Sequence, residues 1–393
     1  MNARSISLLL LLLASTLLSG CWDRTEVNDM AFILTSAIDL EKDGKIRYTV
    51  MLPLPGQMGG ATGGGGGGGS SSGKSYYIDS EVGATYRECH MKLQKRMSRR
   101  MFLAHRRTIL VGEDLARQGI RELFDTVPRS PESRMTTFLV VTKGKAYDMM
   151  NSTPKFEHFP SEAIRELIKS KSVMDINFKD FGISLSLPGA DPVAVYMAVK
   201  DSEQGVESSK EVELKGYAQF RHDKMVGTLE NDAAMGLSII NGQKMISHSI
   251  TLQMGDGQIM AARIYEALTN INTKLVNQKL EYDIALNIKA TLMEDTSHYD
   301  LSQTKNILLV EDSISKKVKS AIQEVINQSL KNNVDSCEFG NFLWRAYPGE
   351  WKSQFEKNWP ESLKDAKFNI QVQSQLTDTG LIFDNVTRER ISQ

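Results

Sequence analysis

A chain of 393 residues that sets 47 Lys and Arg against 48 Asp and Glu carries a formal net charge of −1. Such a balance argues against a nucleic-acid binder, which needs a basic excess to displace condensed counterions. The length suffices for two or three domains of about 100 to 200 residues each, and past the first 20 residues no stretch approaches the roughly 20 apolar residues of a membrane span.

The N-terminus reads as an export signal. Arg4 supplies a sparse positive start, Ile6 to Leu18 is apolar, and the small residues Ser19 and Gly20 precede Cys21, the pattern of a signal peptide over residues 1–20. Leu18-Ser19-Gly20-Cys21 looks like a bacterial lipobox, which makes Cys21 the expected lipidation site and the first residue of the mature chain. Two acyl chains, each contributing ~0.8 kcal/mol per buried CH₂, anchor stably where one does not. The plainer alternative is an ordinary secretory signal with Cys21 incidental. With Cys21 taken, Cys89 and Cys337 remain. They could pair outside the cytoplasm, but one bridge in so long a chain is no disulfide framework, and both are expected as unpaired thiols in or near cores.

Ile46, Tyr48, Val50 and Leu52 alternate with polar neighbours, so residues 45–52 are expected as a half-buried strand that stops at Pro53 and Pro55. Residues 56–73 are almost all Gly and Ser. They offer nothing to bury and lose the most entropy on ordering, so a disordered insertion is expected there. Val82, Tyr86, Cys89, Leu93 and Met97 recur at helical spacing and predict an amphipathic helix to about Ser98. Strands are expected at 108–111 and 136–142, with a helix at 113–124 between them and Pro128 and Pro131 breaking the chain after it. Ser161 starts a further helix, with Glu162 favourably placed in its first turn. This alternation predicts a mixed α/β N-terminal domain over residues 21–200.

Polar residues 200–210 read as a linker. Strands at 212–220 and 224–229 flank a turn at His222-Asp223, Asn231 caps a short helix through Ile240, and Ile246, His248, Ile250, Leu252 and Met254 alternate. Together they predict a small strand-rich middle domain over residues 211–255. Residues 259–275 then read as a helix, Tyr282 to Leu292 as the cleanest strand, and Ile314 to Leu330 as a long amphipathic helix. Aromatic residues Phe342, Trp344, Trp351, Phe355 and Trp359 precede a last strand through Phe368, Ile370 and Val372. Residues 256–393 thus form a C-terminal α+β domain, and the fold class is α+β (mixed α/β) in three domains, lipid-anchored and extracytoplasmic.

One formal motif misleads. Gly68, Gly73, Lys74 and Ser75 satisfy the phosphate-loop spacing, yet they trail a glycine tract that matches easily by accident, and a strand-like Tyr76-Tyr77-Ile78 follows where a helix is needed. No nucleotide is expected. Of His90, His105, His158, His222, His248 and His298, none has metal-ligand spacing to another His or Cys; Cys89 and His90 are adjacent and face different ways on a helix. No metal and no cofactor are expected. There is no G-x-S-x-G and no H-E-x-x-H, so no catalytic residue is assigned, although two distant carboxylates of a wall hydrolase leave no sequence signature. The densest basic cluster, Lys95, Arg96, Arg99, Arg100, His105, Arg106 and Arg107, could meet an acidic partner or lipid headgroups; the reading preferred here is a solvated helix end with cations set against its dipole.

Four stretches resemble one family. Residues 20–32, GCWDRTEVNDMAF, resemble the opening of the C-subunit lipoproteins of bacterial spore germinant receptors, the Ger(x)C family. Residues 97–116, MSRRMFLAHRRTILVGEDLA, with 129–134, RSPESR, are similar to its second stretch, and 216–220 with 223–227 to its middle one. Pro348-Gly349-Glu350-Trp351-Lys352 and Trp359 are similar to its C-terminal one. The glycine tract departs from the family pattern, and so does Asp335-Ser336-Cys337-Glu338-Phe339-Gly340, which stands where a D-x-F-G-F-G-like segment is typical. The resemblance implies a three-domain, non-enzymatic lipoprotein on the outer face of the spore inner membrane. It would work there with membrane-spanning A and B subunits in a receptor that lets nutrients trigger germination. Two other classes remain open to test, a lipid-anchored solute-binding protein and a peptidoglycan-lytic lipoprotein.

Overall fold

The computed structural model describes residues 26–54, 74–203, 209–242, 245–255, 257–297 and 299–380. Cys21 and its flanks, the glycine tract and His298 lie outside the described residues. Fourteen strands are described: β1 Met30–Phe32, β2 Thr35–Leu40, β3 Ile46–Pro53, β4 Tyr76–Gly83, β5 Arg100–Phe102, β6 Thr108–Gly112, β7 Phe138–Thr142, β8 Val193–Asp201, β9 Lys210–Arg221, β10 Lys224–Glu230, β11 Met245–Gln253, β12 Ile259–Val276, β13 Lys279–Asp295 and β14 Lys367–Asp378. With the helices between them they make a mixed α+β protein.

The larger sheet has eight strands in the order β10-β9-β8-β7-β6-β2-β3-β4. Its centre, β2, β6, β7 and β8, is parallel, and antiparallel hairpins extend both sides. Helices cover both faces of the parallel centre, which is why β6 is buried along its whole length and reads as a continuous apolar run. The second sheet, β11-β12-β13-β14, lays one face on the helix Thr304–Lys331. Val310, Ile314, Val318 and Val325 from that helix are buried with Ile284, Leu286 and Ile288 of β13.

Several expectations change. The helix expected from Val82 to Ser98 is shorter, Tyr86–Gln94, because Val82 belongs to β4; Thr85 caps it by accepting from Glu88 N at 3.1 Å. The helix expected over 113–124 is two, Glu113–Gln118 and Arg121–Thr126. Gly119 separates them at φ 134°, beside the β9–β10 turn that Ile120 N bonds through Asp223 O. Residues 259–275 are not a helix but β12. A bulge between Ile264 and Glu266 shifts its parity, so the apolar residues facing inward run Met260, Ala262, Ile264, Ala267 and Ile271, a spacing that imitates a helical stripe.

The stretch expected as a middle domain is divided between the two sheets. β9 and β10 extend the larger sheet, while β11 is an edge of the smaller one. The helix Asn231–Ile240 lies between them, so close to Thr304–Lys331 that a Cβ on Gly236 would overlap Ala321 O. The expected linker at 200–210 overlaps both its flanking strands, β8 ending at Asp201 and β9 beginning at Lys210.

Candidate functional site

Two places draw together the residues that sequence reading singled out. The first is where the described chain begins. A turn at Val27–Asp29 leads into β1, which pairs in parallel with β5, Met30 opposite Arg100 and Phe32 opposite Phe102. Two of the family-like stretches are therefore neighbours in space. The Phe32 ring packs edge-on against Phe102 at 5.8 Å and His105 at 5.1 Å.

The basic cluster does not form a solvated helix end. The helix stops at Gln94, and only Lys95 of the cluster sits at its C-cap. Four of the others have individual roles: Arg96 pairs with Asp79 at 2.7 Å and with Glu81, Arg100 with Glu132, and Arg107 with Glu162 at 2.7 Å. Arg106 is 3% exposed and reaches the Tyr86 and Ser133 hydroxyls at 3.3 Å each. Pairing or burial thus takes up four of these cations, while Lys95 and Arg99 are exposed.

The second place is the junction of the two sheets, where Asp335 closes a buried clasp. Its carboxylate accepts from Phe339 N at 3.0 Å, Gly340 N at 2.7 Å and Trp359 Nε1 at 3.1 Å. Its own backbone N donates to Asp191 Oδ2 at 2.9 Å, and Asp191 N donates back to Asp335 O at 3.1 Å. Arg221, at the end of β9, bonds both Asp191 oxygens at 3.0–3.1 Å and the Trp359 carbonyl at 2.7 Å. Burial, with the Asp191 charge adding to it, pushes the Asp335 carboxyl up to about 8, against the pull of its three donors. Nearby, Gln219 donates to the Ser329 and Ser336 hydroxyls at 3.1 and 2.9 Å and accepts from Asn332 at 2.8 Å.

This arrangement explains two of the family-like stretches without chemistry. Gln219 ties the middle stretch to the C-terminal part, and Trp351 and Trp359 pack edge-on at 5.2 Å over the Gly189–Gly340 contact. Glu338 sits at φ 59°, a left-handed conformation that favours glycine, which accounts for the glycine of the pattern it replaces. Asp335 is 1% exposed, so it is closed to any substrate and acts as a fixed strut. Sequence reading missed Asp191 and Arg221, because nothing in the linear chain links residue 191 to residue 335.

Lys74 and Ser75 of the formal phosphate loop lead into the edge strand β4, not into a helix. Lys74 Nζ lies 5.5 Å from the Tyr76 ring centre and the Ser75 hydroxyl donates to His158 O. Cys89 and Cys337 are unpaired and buried in different cores. Burial lowers His90 and His248 to about 4, so both half-buried rings are neutral near pH 7. Among the described residues no three His, Cys, Asp or Glu side chains converge to hold a metal ion.

Two family models match the chain: "Spore germination protein N-terminal domain" over residues 23–199 and "Spore germination B3/GerAC like, C-terminal" over residues 215–380. Putative spore germination protein YfkR of Bacillus subtilis (strain 168) is 31% identical, with 96% of this chain and 97% of the relative covered. Spore germination protein KC of the same organism is 24% identical, with 95% of each covered, and GerQC of Bacillus cereus is 22% identical, with 95% and 98% covered. The crystal structure of the GerBC protein superposes with a TM-score of 0.56 at 17% identity, covering 87% of this chain and 96% of that one.

Proposed function

We propose, since this chain belongs to the Ger(x)C family of spore germination proteins, that it is the non-enzymatic lipoprotein subunit of a nutrient germinant receptor. In this reading residues 1–20 are removed and Cys21 carries the lipid. The body then stands on the outer face of the spore inner membrane, beside membrane-spanning A and B subunits.

The observation that supports it is where the family-like stretches go. They pair β1 with β5 and close the clasp between the two sheets, so they build a rigid body rather than an open cleft with a nucleophile and base. Glu26 follows Cys21 by five residues, a span of at most about 18 Å, so a lipid on Cys21 holds β1 and β5 close to the bilayer. Confinement to a surface raises the effective concentration of the body around its membrane partners, so weak contacts suffice for assembly.

Co-purification from spore membranes tests this. Wild type is expected to bring down membrane-spanning partners, and Cys21→Ala is expected to lose both membrane retention and partners. Partner recovery that is indifferent to Cys21 would refute the anchoring half of the proposal, and recovery of no partner from wild type would refute the receptor half.

A further inference from the structure

The smaller sheet ends at β11 in an edge that is covered at its start and open beyond it. Met254 N donates to Gln258 O at 2.9 Å where β11 turns back into β12, and the two strands keep an unbroken register from His248 opposite Ile264 to Gln253 opposite Ile259. Along an antiparallel pair, residues whose backbone groups bond the neighbour alternate with residues whose groups point away from it. His248, Ile250, Leu252 and Met254 therefore bond β12, and Ser249, Thr251 and Gln253 turn their N–H and C=O groups outward. Ile259, opposite Gln253, obeys the same alternation, since its own backbone groups turn away from β11 to Thr296. At the start of the strand the chain covers this edge itself: Ser247 N donates to Lys171 O at 2.9 Å, and Ser247 O accepts from the Ser172 hydroxyl at 3.3 Å. From Ser249 to Gln253 no backbone partner lies on that side among the described residues, and Ser249, Thr251 and Gln253 are exposed.

An open edge is ordinarily blunted by a charge, a proline or a bulge. β4, an edge of the larger sheet, carries Asp79 and Glu81, whereas the stretch from Ser249 to Gln253 has none of the three. Beside it runs a groove of about 550 Å³ between β11 and the helix Thr304–Lys331, lined by Thr251, Leu252, Gln253, Ser313, Lys316 and Lys317. Three outward donor–acceptor pairs set about 7 Å apart match the backbone of another extended strand. The helix side of the groove sets the side-chain preference. Lys317 is tied to Asp232 at 2.5 Å, while Lys316 has a well-exposed pair with Asp312 on its own helix. Such an exposed pair is worth little, so Lys316 can turn to an acidic group that arrives with a strand.

We propose that an extended peptide segment of a partner protein adds to the smaller sheet as a fifth strand along Ser249 to Gln253, with an acidic side chain set toward Lys316. The contact does not pass through Cys21, so it stands or falls apart from the receptor reading.

Titrating the full mature chain with three capped peptides tests it: acetyl-TVEVEVT-amide, its lysine counterpart acetyl-TVKVKVT-amide, and the first peptide N-methylated at its five central residues. The acidic peptide is expected to saturate one site and to slow hydrogen exchange at Ser249, Thr251 and Gln253. The lysine peptide should bind about 3-fold more weakly or worse, and the N-methylated one, which cannot complete the ladder, about 10-fold more weakly or worse. Thr251→Pro removes one outward N–H from an edge strand, where proline is tolerated, and should weaken the acidic peptide about 5-fold or more. Lys316→Glu, at an exposed helix position, should abolish the preference for glutamate over lysine while the N-methylated peptide stays weak. No saturable binding by wild type, equal affinity for the N-methylated peptide, protection confined to other strands, or a glutamate preference that survives Lys316→Glu would overturn the assignment. A dimer of the unliganded chain that Thr251→Pro dissociates would also overturn it, by giving the edge to a second copy.

Discussion

Replacing Gly340 by Ala separates packing from propensity. Gly340 is the second residue of the helix Phe339–Ala346, so helix propensity alone favours Ala by up to about 1 kcal/mol. Packing opposes it. A Cβ there would stand 2.5 Å from Gly189 Cα, 2.6 Å from Gly189 O and 2.6 Å from Trp359 Cε2. Two of these atoms are backbone and the third belongs to a ring held by Asp335, so none can swing aside. Overpacking a dense site costs about 1 to 3 kcal/mol. Moving residues 335–340 away from residue 189 also stretches the Asp335 N–Asp191 and Gly340 N–Asp335 bonds, at about 1 kcal/mol each. The net expectation is a loss of about 2 to 4 kcal/mol in the main urea transition, with Gly349→Ala as control because nothing lies within 4 Å of its Cβ. Gly340→Ala at or above wild-type stability would refute the reasoning that the two sheets are locked by this contact.

Other outcomes follow from the same structure. The folded Asp335 carboxyl titrates near 8 against 3.8 for the ordinary group, so the folded state holds a proton that the unfolded chain releases. Its contribution is complete below pH 4 and lost as pH rises through 8. Urea titrations at several pH values should show wild type losing up to about 1.4 kcal/mol per pH unit relative to Asp335→Asn over that window, and parallel curves would count against it. Cys89 and Cys337, buried and with thiols pushed up by burial, should resist iodoacetamide in the native chain at pH 8 and react fully in urea; native labelling read by mass spectrometry would contradict this. Pro53 pairs with Tyr76 across the Gly/Ser tract, so cutting residues 55–73 to a four-residue turn should preserve the fold and add about 1 kcal/mol of stability through easier loop closure. Unfolding of that deletion would show that the tract makes contacts.

Legibility in the sequence followed regularity. β13 and β11 keep strict alternation, and the helix Thr304–Lys331 keeps its apolar stripe, so both types were plain. β12 misled because its bulge between Ile264 and Glu266 breaks period two in the middle. The split at Gly119 was hidden because its cause, the turn carrying Asp223, is about a hundred residues away. For the same reason the family-like stretches could be recognised but not interpreted. Whether Trp359 or Gln219 acts or supports depends on Asp335 and Ser336 facing them from another part of the chain. Arg106 reads as a surface charge in the sequence because local residues do not reveal its burial beside Tyr86.

The central claim is that Cys21 carries a lipid that holds this body among membrane partners. Fractionating spores that carry wild-type or Cys21→Ala chain, with the nutrient response followed in the same spores, measures it directly. The account predicts wild type in the inner-membrane fraction, Cys21→Ala released from it, and germination reduced in step. Cys21→Ala that remains in the membrane and germinates normally would contradict it.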